Sequence, residues 1–225
     1  MYSKLNIDKI IEIVHTLSLR INDRFPDADL LNVCKELKGL AVKSKAENLK
    51  LQKPYILIRI AFIIMIVIAS ASIIYTISLL KFEDSIMRFA NFITVSEAFI
   101  SELVTIGFAF YFIYKLEDFI KEKKVLAALH ELRTIAHVID LHQLTKDAVY
   151  TSVERTKNSP KREFTKAQLN RYLNYCCEML SLTSKVAATY AFDNKNVLIL
   201  NTVRDVEPLT SNLSTKIWEK IELNS

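Results

Sequence analysis

The longest uncharged run in the chain is IAFIIMIVIASASIIYTISLL, Ile60–Leu80, 21 residues in all. An α-helix of that length rises roughly 30 Å, the thickness of a bilayer's hydrocarbon core, so the run predicts a transmembrane helix. A second run, AFISELVTIGFAFYFIY from Ala98 to Tyr114, is interrupted only by Glu102 and predicts a return span. Between them, EDSIMRFANFITVSE places Ile86, Phe89, Ala90 and Ile93 on one helical face, the pattern of a helix lying in the membrane interface.

Outside the spans the apolar positions recur with helical period. Ile7, Ile10, Ile11, Val14 and Leu17 form one stripe. Past a break near Pro26, Leu30, Leu31, Cys34 and Leu37 form a second, following the capping candidates Asp27 and Asp29. Three helices are predicted after the second span. The first continues it from Lys115 to about Thr145. The next opens on a capping box, Thr165 with Gln168, and carries Leu169, Leu173, Cys176, Leu180 and Ala187. The last carries Val203, Val206, Leu213, Ile217 and Ile221. FDNKNVLILN holds a short β-like run loosely bounded by turn residues. The expected architecture is all-α: cytoplasmic helices over 1–54, a membrane region over 55–114 (helices 56–80 and 98–114), and a helical domain over 115–225 that completes a cytoplasmic bundle.

Composition narrows the functions open to such a chain. It has 2 glycines in 225 residues, so neither a P-loop nor a dinucleotide fingerprint can be assembled from Gly39 and Gly107. Three cysteines, with Cys176 and Cys177 adjacent and no CxxC, fit a reducing compartment and no zinc knuckle. The polar start, Met1–Ile10, does not read as a signal peptide. A net charge of +5 is too modest to imply nucleic-acid binding by itself. Its distribution is more informative. Lys43, Lys45, Lys50, Lys53 and Arg59 flank the first span, and Lys115, Lys121, Lys123, Lys124 and Arg133 follow the second. The loop between them has only Lys81 and Arg88, offset by Glu83 and Asp84. Both termini are therefore expected in the cytoplasm.

HELRTIAHVIDLHQLTKD, His130–Asp147, holds three of the four histidines. Projected on a helix, Leu126, Leu129, Leu132, Ala136 and Ile139 face a core, and His130, Arg133, His137 and Asp140 form a seam beside it. His130 and His137 stand about 10 Å apart along the axis, too far to share a zinc ion whose ligands lie about 2 Å away. Arg133 between them would repel a metal. The seam is expected to be a structural polar network, with metal binding or proton sensing as the alternative. No Ser–His–Asp or Cys–His pattern is present, so neither enzyme activity nor a cofactor is expected.

Glu102 is costly inside a span, about 2.5–3.5 kcal/mol on insertion scales. With Thr105 and Ala109 it forms one stripe, and Glu97 stands at the mouth. Ala69, Ser72 and Thr76 make a second small-polar seam in the first span. Two readings stay open: helix packing, or a pore lined by Glu97, Glu102, Thr105 and Ala109, which two spans can enclose only as an oligomer. A basic connection, Arg155, Lys157, Lys161 and Arg162, is a candidate site for a phosphate-bearing ligand. The patch Lys43, Lys45, Lys50 and Lys53 reads more simply as the positive-inside signal.

Four segments, RFPDADLLNVCKELKGLA, ALHELRTIAHVIDLHQLTKD, LNRYLNYCCEMLSLTSKVAATYA and LTSNLSTKIWEKI, resemble a bacterial family of small two-span membrane effectors of anti-phage defence, especially the Hailong type. The resemblance implies an oligomeric channel in the bacterial inner membrane; a symmetric homo-oligomer, expected to be a tetramer, is what the seams in the spans call for, since they need partners and closed symmetry is usual. It implies a nucleotidyltransferase-like partner that makes short single-stranded DNA oligomers, or another nucleotide signal, to gate the channel. Opening would depolarise an infected cell. A membrane-anchored scaffold without a pore is the alternative. The resemblance assigns no ligand-binding residue.

Overall fold

The computed structural model describes residues 5–51, 53–78, 85–144, 146, 157, 164–192 and 194–223, with side chains described at all of these except 76, 77, 85–92, 94, 95 and 98. Among them the chain is all-helical, without a strand. The order is α1 (Ile7–Arg24), α2 (Asp29–Leu51), α3 (Ile56–Ser78), α4 (Ser85–Leu144), α5 (Lys166–Ala188) and α6 (Val197–Leu223). Two compact units result: Met1–Lys50 together with Glu122–Ser225, and Leu51–Lys121.

In the larger unit, local chemistry sets each helix boundary. Asn6 caps α1 by accepting the Asp8 N–H at 2.9 Å. Pro26 disfavours a helical residue before it, and Phe25 takes φ −139°, ending α1. The chain turns through Ala28 N–H to Phe25 O, and α2 begins at Asp29, whose carboxylate favours the positive end of the helix dipole. The capping box of α5 is complete: Thr165 Oγ1 accepts the Gln168 N–H, and Gln168 Oε1 accepts the Thr165 N–H. Asn196 Oδ1 accepts the N–H groups of Leu198 and Ile199, so VLIL begins α6 and is not the expected β-like run. Once a side chain satisfies those first amides, the apolar spacing continues into the α6 stripe.

The core of this unit is built from the predicted stripes. Val14, Leu17, Leu30, Cys34, Leu37, Leu173, Cys176, Leu180, Val206 and Ile217 are all buried. Phe25 meets Phe164, Tyr172 and Tyr175 with ring centroids at 5.1, 5.7 and 6.3 Å, closing the end where α1 meets α5. Arg20 donates to Glu178 at 2.8 Å and lies over the Tyr175 ring. Ser44 and Thr189 share a buried hydrogen bond, and Tyr190 Oη donates to Glu47.

The smaller unit differs. α3 and α4 each contain a stretch long and apolar enough to cross a membrane, and 6% of one stretch and none of the other is buried. A soluble core helix would show the opposite. The interfacial helix expected before the second span does not stand apart. Ser85 onward belongs to α4, which continues without a break to Leu144. Side chains 86, 89 and 90 lie outside those described, and Ile93 is exposed.

Candidate functional site: carboxylates along the second apolar helix

Two contacts fix how α3 and α4 pair. At the start of α3 the Tyr55 N–H donates to Glu117 Oε1 at 3.4 Å, and Lys121 pairs with the same oxygen at 2.8 Å. Farther along, Phe62 packs edge-on against Phe110 with centroids 5.0 Å apart. Both helices advance seven residues between these contacts, so they run antiparallel in a set register. Carried forward, that register sets Ser70 opposite Glu102 and Tyr75 opposite Glu97.

Tyr55 and Tyr75 stand twenty residues apart, about 30 Å along a helix. Glu97 is level with Tyr75. Glu102 lies about 7.5 Å nearer the middle of the paired helices, at the level of apolar side chains.

The expected stripe Glu102, Thr105 and Ala109 divides. Glu102 and Ala109 are half-covered, on the same face as Ile106, Phe110 and Ile113, and Glu102 Oε1 is sealed from solvent. Thr105 stands exposed at the edge of that face, its hydroxyl donating to Ser101 O at 2.9 Å. Glu97 and Ser101 are exposed, on the side away from Phe110. Ser101 escaped the sequence reading, although its i, i+4 spacing from both Glu97 and Thr105 is visible in the string. In α3, Ser72 is exposed and Ala69 half-covered. The side chain of Thr76 lies outside those described.

Of the basic connection, Lys157 is exposed in a turn, and Arg155, Lys161 and Arg162 lie outside the described residues. In the other basic patch, Lys43 pairs with Glu131 and Lys45 with Asp8. The hydrogen bond to Glu131 holds the Lys43 ammonium above its usual pKa.

The histidine seam takes a different form from the one expected. His130, Arg133 and His137 are exposed. Only Asp140 of the four is half-buried, accepting from Gln143 Nε2 at 2.9 Å, while Gln143 in turn accepts from Lys220 at 3.0 Å. Val125, Ala128 and Ile135 are buried too, which widens the core face and turns the histidines towards water. Among the described residues no three His, Cys, Asp or Glu side chains stand close enough to hold one metal ion.

The geometry defines a class, a protein all-helical among its described residues, with two helices long and apolar enough to cross a membrane and two carboxylates, Glu97 and Glu102, along the second. No family model, curated protein or solved structure matches the chain.

Proposed function

We propose that this protein is a membrane effector of bacterial anti-phage defence. It assembles as a homo-oligomer, most simply a tetramer, into an ion channel gated by a nucleotide or DNA-oligomer signal, and its opening depolarises the infected cell. The observation that carries the channel reading is Glu102, a carboxylate among apolar side chains on one of the two helices long and apolar enough to cross a membrane. A charge within a membrane span is expensive, so ionisable residues there are functional candidates by default. The defence setting and the oligonucleotide signal, supplied by a nucleotidyltransferase-like partner, come from the sequence resemblance. The orientation, with both termini in the cytoplasm of an inner-membrane protein, follows from the lysine and arginine counts. A membrane-anchored scaffold is the second reading, favoured by the exposed Val197, Leu198 and Trp218 of the larger unit.

The test pairs wild type with Glu102→Gln, which keeps volume and removes charge. In cells carrying the neighbouring genes, phage infection should collapse the membrane potential of wild type. The Gln variant, with an unchanged oligomeric mass in detergent, should depolarise more slowly and discriminate less between cations and anions. A monomer in detergent, or an undisturbed potential on infection, would leave only the scaffold.

A further inference from the structure

Two faces of α4 each carry polar side chains, Glu102 on the one that α3 half-covers, and Glu97 and Ser101 on one that it leaves open. The half-covered face holds Glu102, Ala109 and Phe110. The uncovered face runs inward from Glu97 through Ser101, with Thr105 at its flank, and then changes character. Phe108 and Phe112 follow on the same face, one turn apart and 72% and 68% exposed. The register sets Phe108 opposite Ile64, close to the midplane between Tyr55 and Tyr75. The Glu97 side chain and the Ser101 side chain are both exposed. The row therefore begins on a carboxylate and a hydroxyl and ends on two phenyl groups. Rows of this kind from several copies of the chain, turned towards a common axis, would make a wet mouth above a ring of phenyl groups. Narrow apolar rings close pores by expelling water.

We propose that Glu97, Ser101 and Thr105 line the outer mouth of the lumen, and that Phe108 and Phe112 are the apolar constriction that keeps it shut at rest. This rests on the channel reading above and deepens it. The ring of Glu97 carboxylates concentrates monovalent cations at the mouth. Glu102, on the α3 side, acts on them through its field and not by contact. Replacing either phenyl group by a hydroxyl-bearing side chain wets the constriction and lets cations leak without any signal.

Phe108→Ser and Phe112→Ser, each in the full chain, are reconstituted into phosphatidylethanolamine and phosphatidylglycerol liposomes holding a potassium gradient, with no ligand added. Each is expected to raise potassium efflux about tenfold or more over wild type, the size of change a modest loss of closed-state bias produces. Leu103→Ser, on the flank of the same helix, should stay at the wild-type rate. In a Phe108→Ser background, Ser101→Cys should let a water-soluble thiol reagent added outside block the leak. Unchanged efflux from both Phe variants at wild-type oligomeric mass overturns the gate, as does an equal leak from Leu103→Ser. Should the Phe variants not assemble, Ser101→Cys in the otherwise native chain decides. Its labelling from outside supports the lumen face, and its resistance overturns it. If wild type depolarises infected cells but the Phe variants stay closed, this gate falls and the channel stands. If wild type never depolarises them, the channel reading itself has failed.

Discussion

Orientation in the membrane can be read with thiol chemistry, provided the native cysteines are handled as the fold places them. Cys34 is fully buried, and burial, aided by the nearby Glu178 charge, pushes its thiol up to about 12. Cys177 is pushed up to about 11 by burial, again with Glu178 adding to the effect. Cys176 is raised by near-complete burial. Only the thiolate reacts, so below pH 9 these groups are depleted in the reactive form. Against an ordinary thiol at 9.0, Cys34 carries about a thousandfold less thiolate and Cys177 about a hundredfold less. Their silence in intact cells therefore says nothing about sidedness, and an exposed reporter is needed on each side. Ser78, exposed at the end of α3, and Ser211, exposed on α6, serve as Cys substitutions in separate chains. A membrane-impermeant maleimide on intact cells should modify Ser78→Cys and spare Ser211→Cys. After permeabilisation Ser211→Cys should react at the ordinary rate, with Cys34 lagging by about three orders of magnitude. Labelling of Ser211→Cys in intact cells would invert the orientation. Rapid labelling of Cys34 after permeabilisation would contradict the packing of α1, α2 and α5.

Phe25→Ala removes the ring around which Phe164, Tyr172 and Tyr175 gather, and should cost about 3–5 kcal/mol of stability in the larger unit, seen as a lower midpoint of Trp218 fluorescence on heating. Arg20→Ala breaks an ion pair whose side chains remain 45% and 38% exposed, so its loss should cost no more than about 1 kcal/mol. The reverse order would mean that the aromatic cluster is not the organising contact. Neutralising Arg155, Lys157, Lys161 and Arg162 together should weaken binding of a short single-stranded DNA oligomer. It should also flatten the salt dependence by about 0.7 in log–log slope for each phosphate that is no longer neutralised. An unchanged slope would remove this connection from the ligand site.

The amphipathic helices were legible because packing and period agree in them. Thr165 and Gln168 announce α5, and the stripe from Leu169 to Ala187 lands in the core. In α6 the stripe from Val203 to Ile221 does the same. α4 was harder, because its pattern passes from amphipathic to apolar and back, and each change looked like an element boundary. The better signal was negative: from Ser85 to Leu144 the sequence has no proline and a single glycine, Gly107. Nothing in it stops a helix. The histidine seam misled for a related reason. A helix surrounded by several neighbours buries more than one stripe, and Val125, Ala128 and Ile135 shift the buried face away from His130 and His137. The side of α4 that meets α3 was beyond the string altogether. Glu102, Thr105 and Ala109 do share a stripe, but only the contacts at Tyr55 and Phe62 tell which edge of it is covered.

That asymmetry bears on assembly. Glu102 lies under one side of α4, at the level of Ser70, and α3 shields part of it. Glu97 and Ser101 lie on the other side, which α3 leaves exposed. In the larger unit, α1, α2, α5 and α6 bury their main apolar stripes in that unit's own core. On the channel reading proposed above, copies arranged about an axis would give every such face the same polar surroundings, whatever the number of subunits. The face bearing Glu97 and Ser101 need only turn inward, which is the arrangement the Ser101→Cys labelling reads directly.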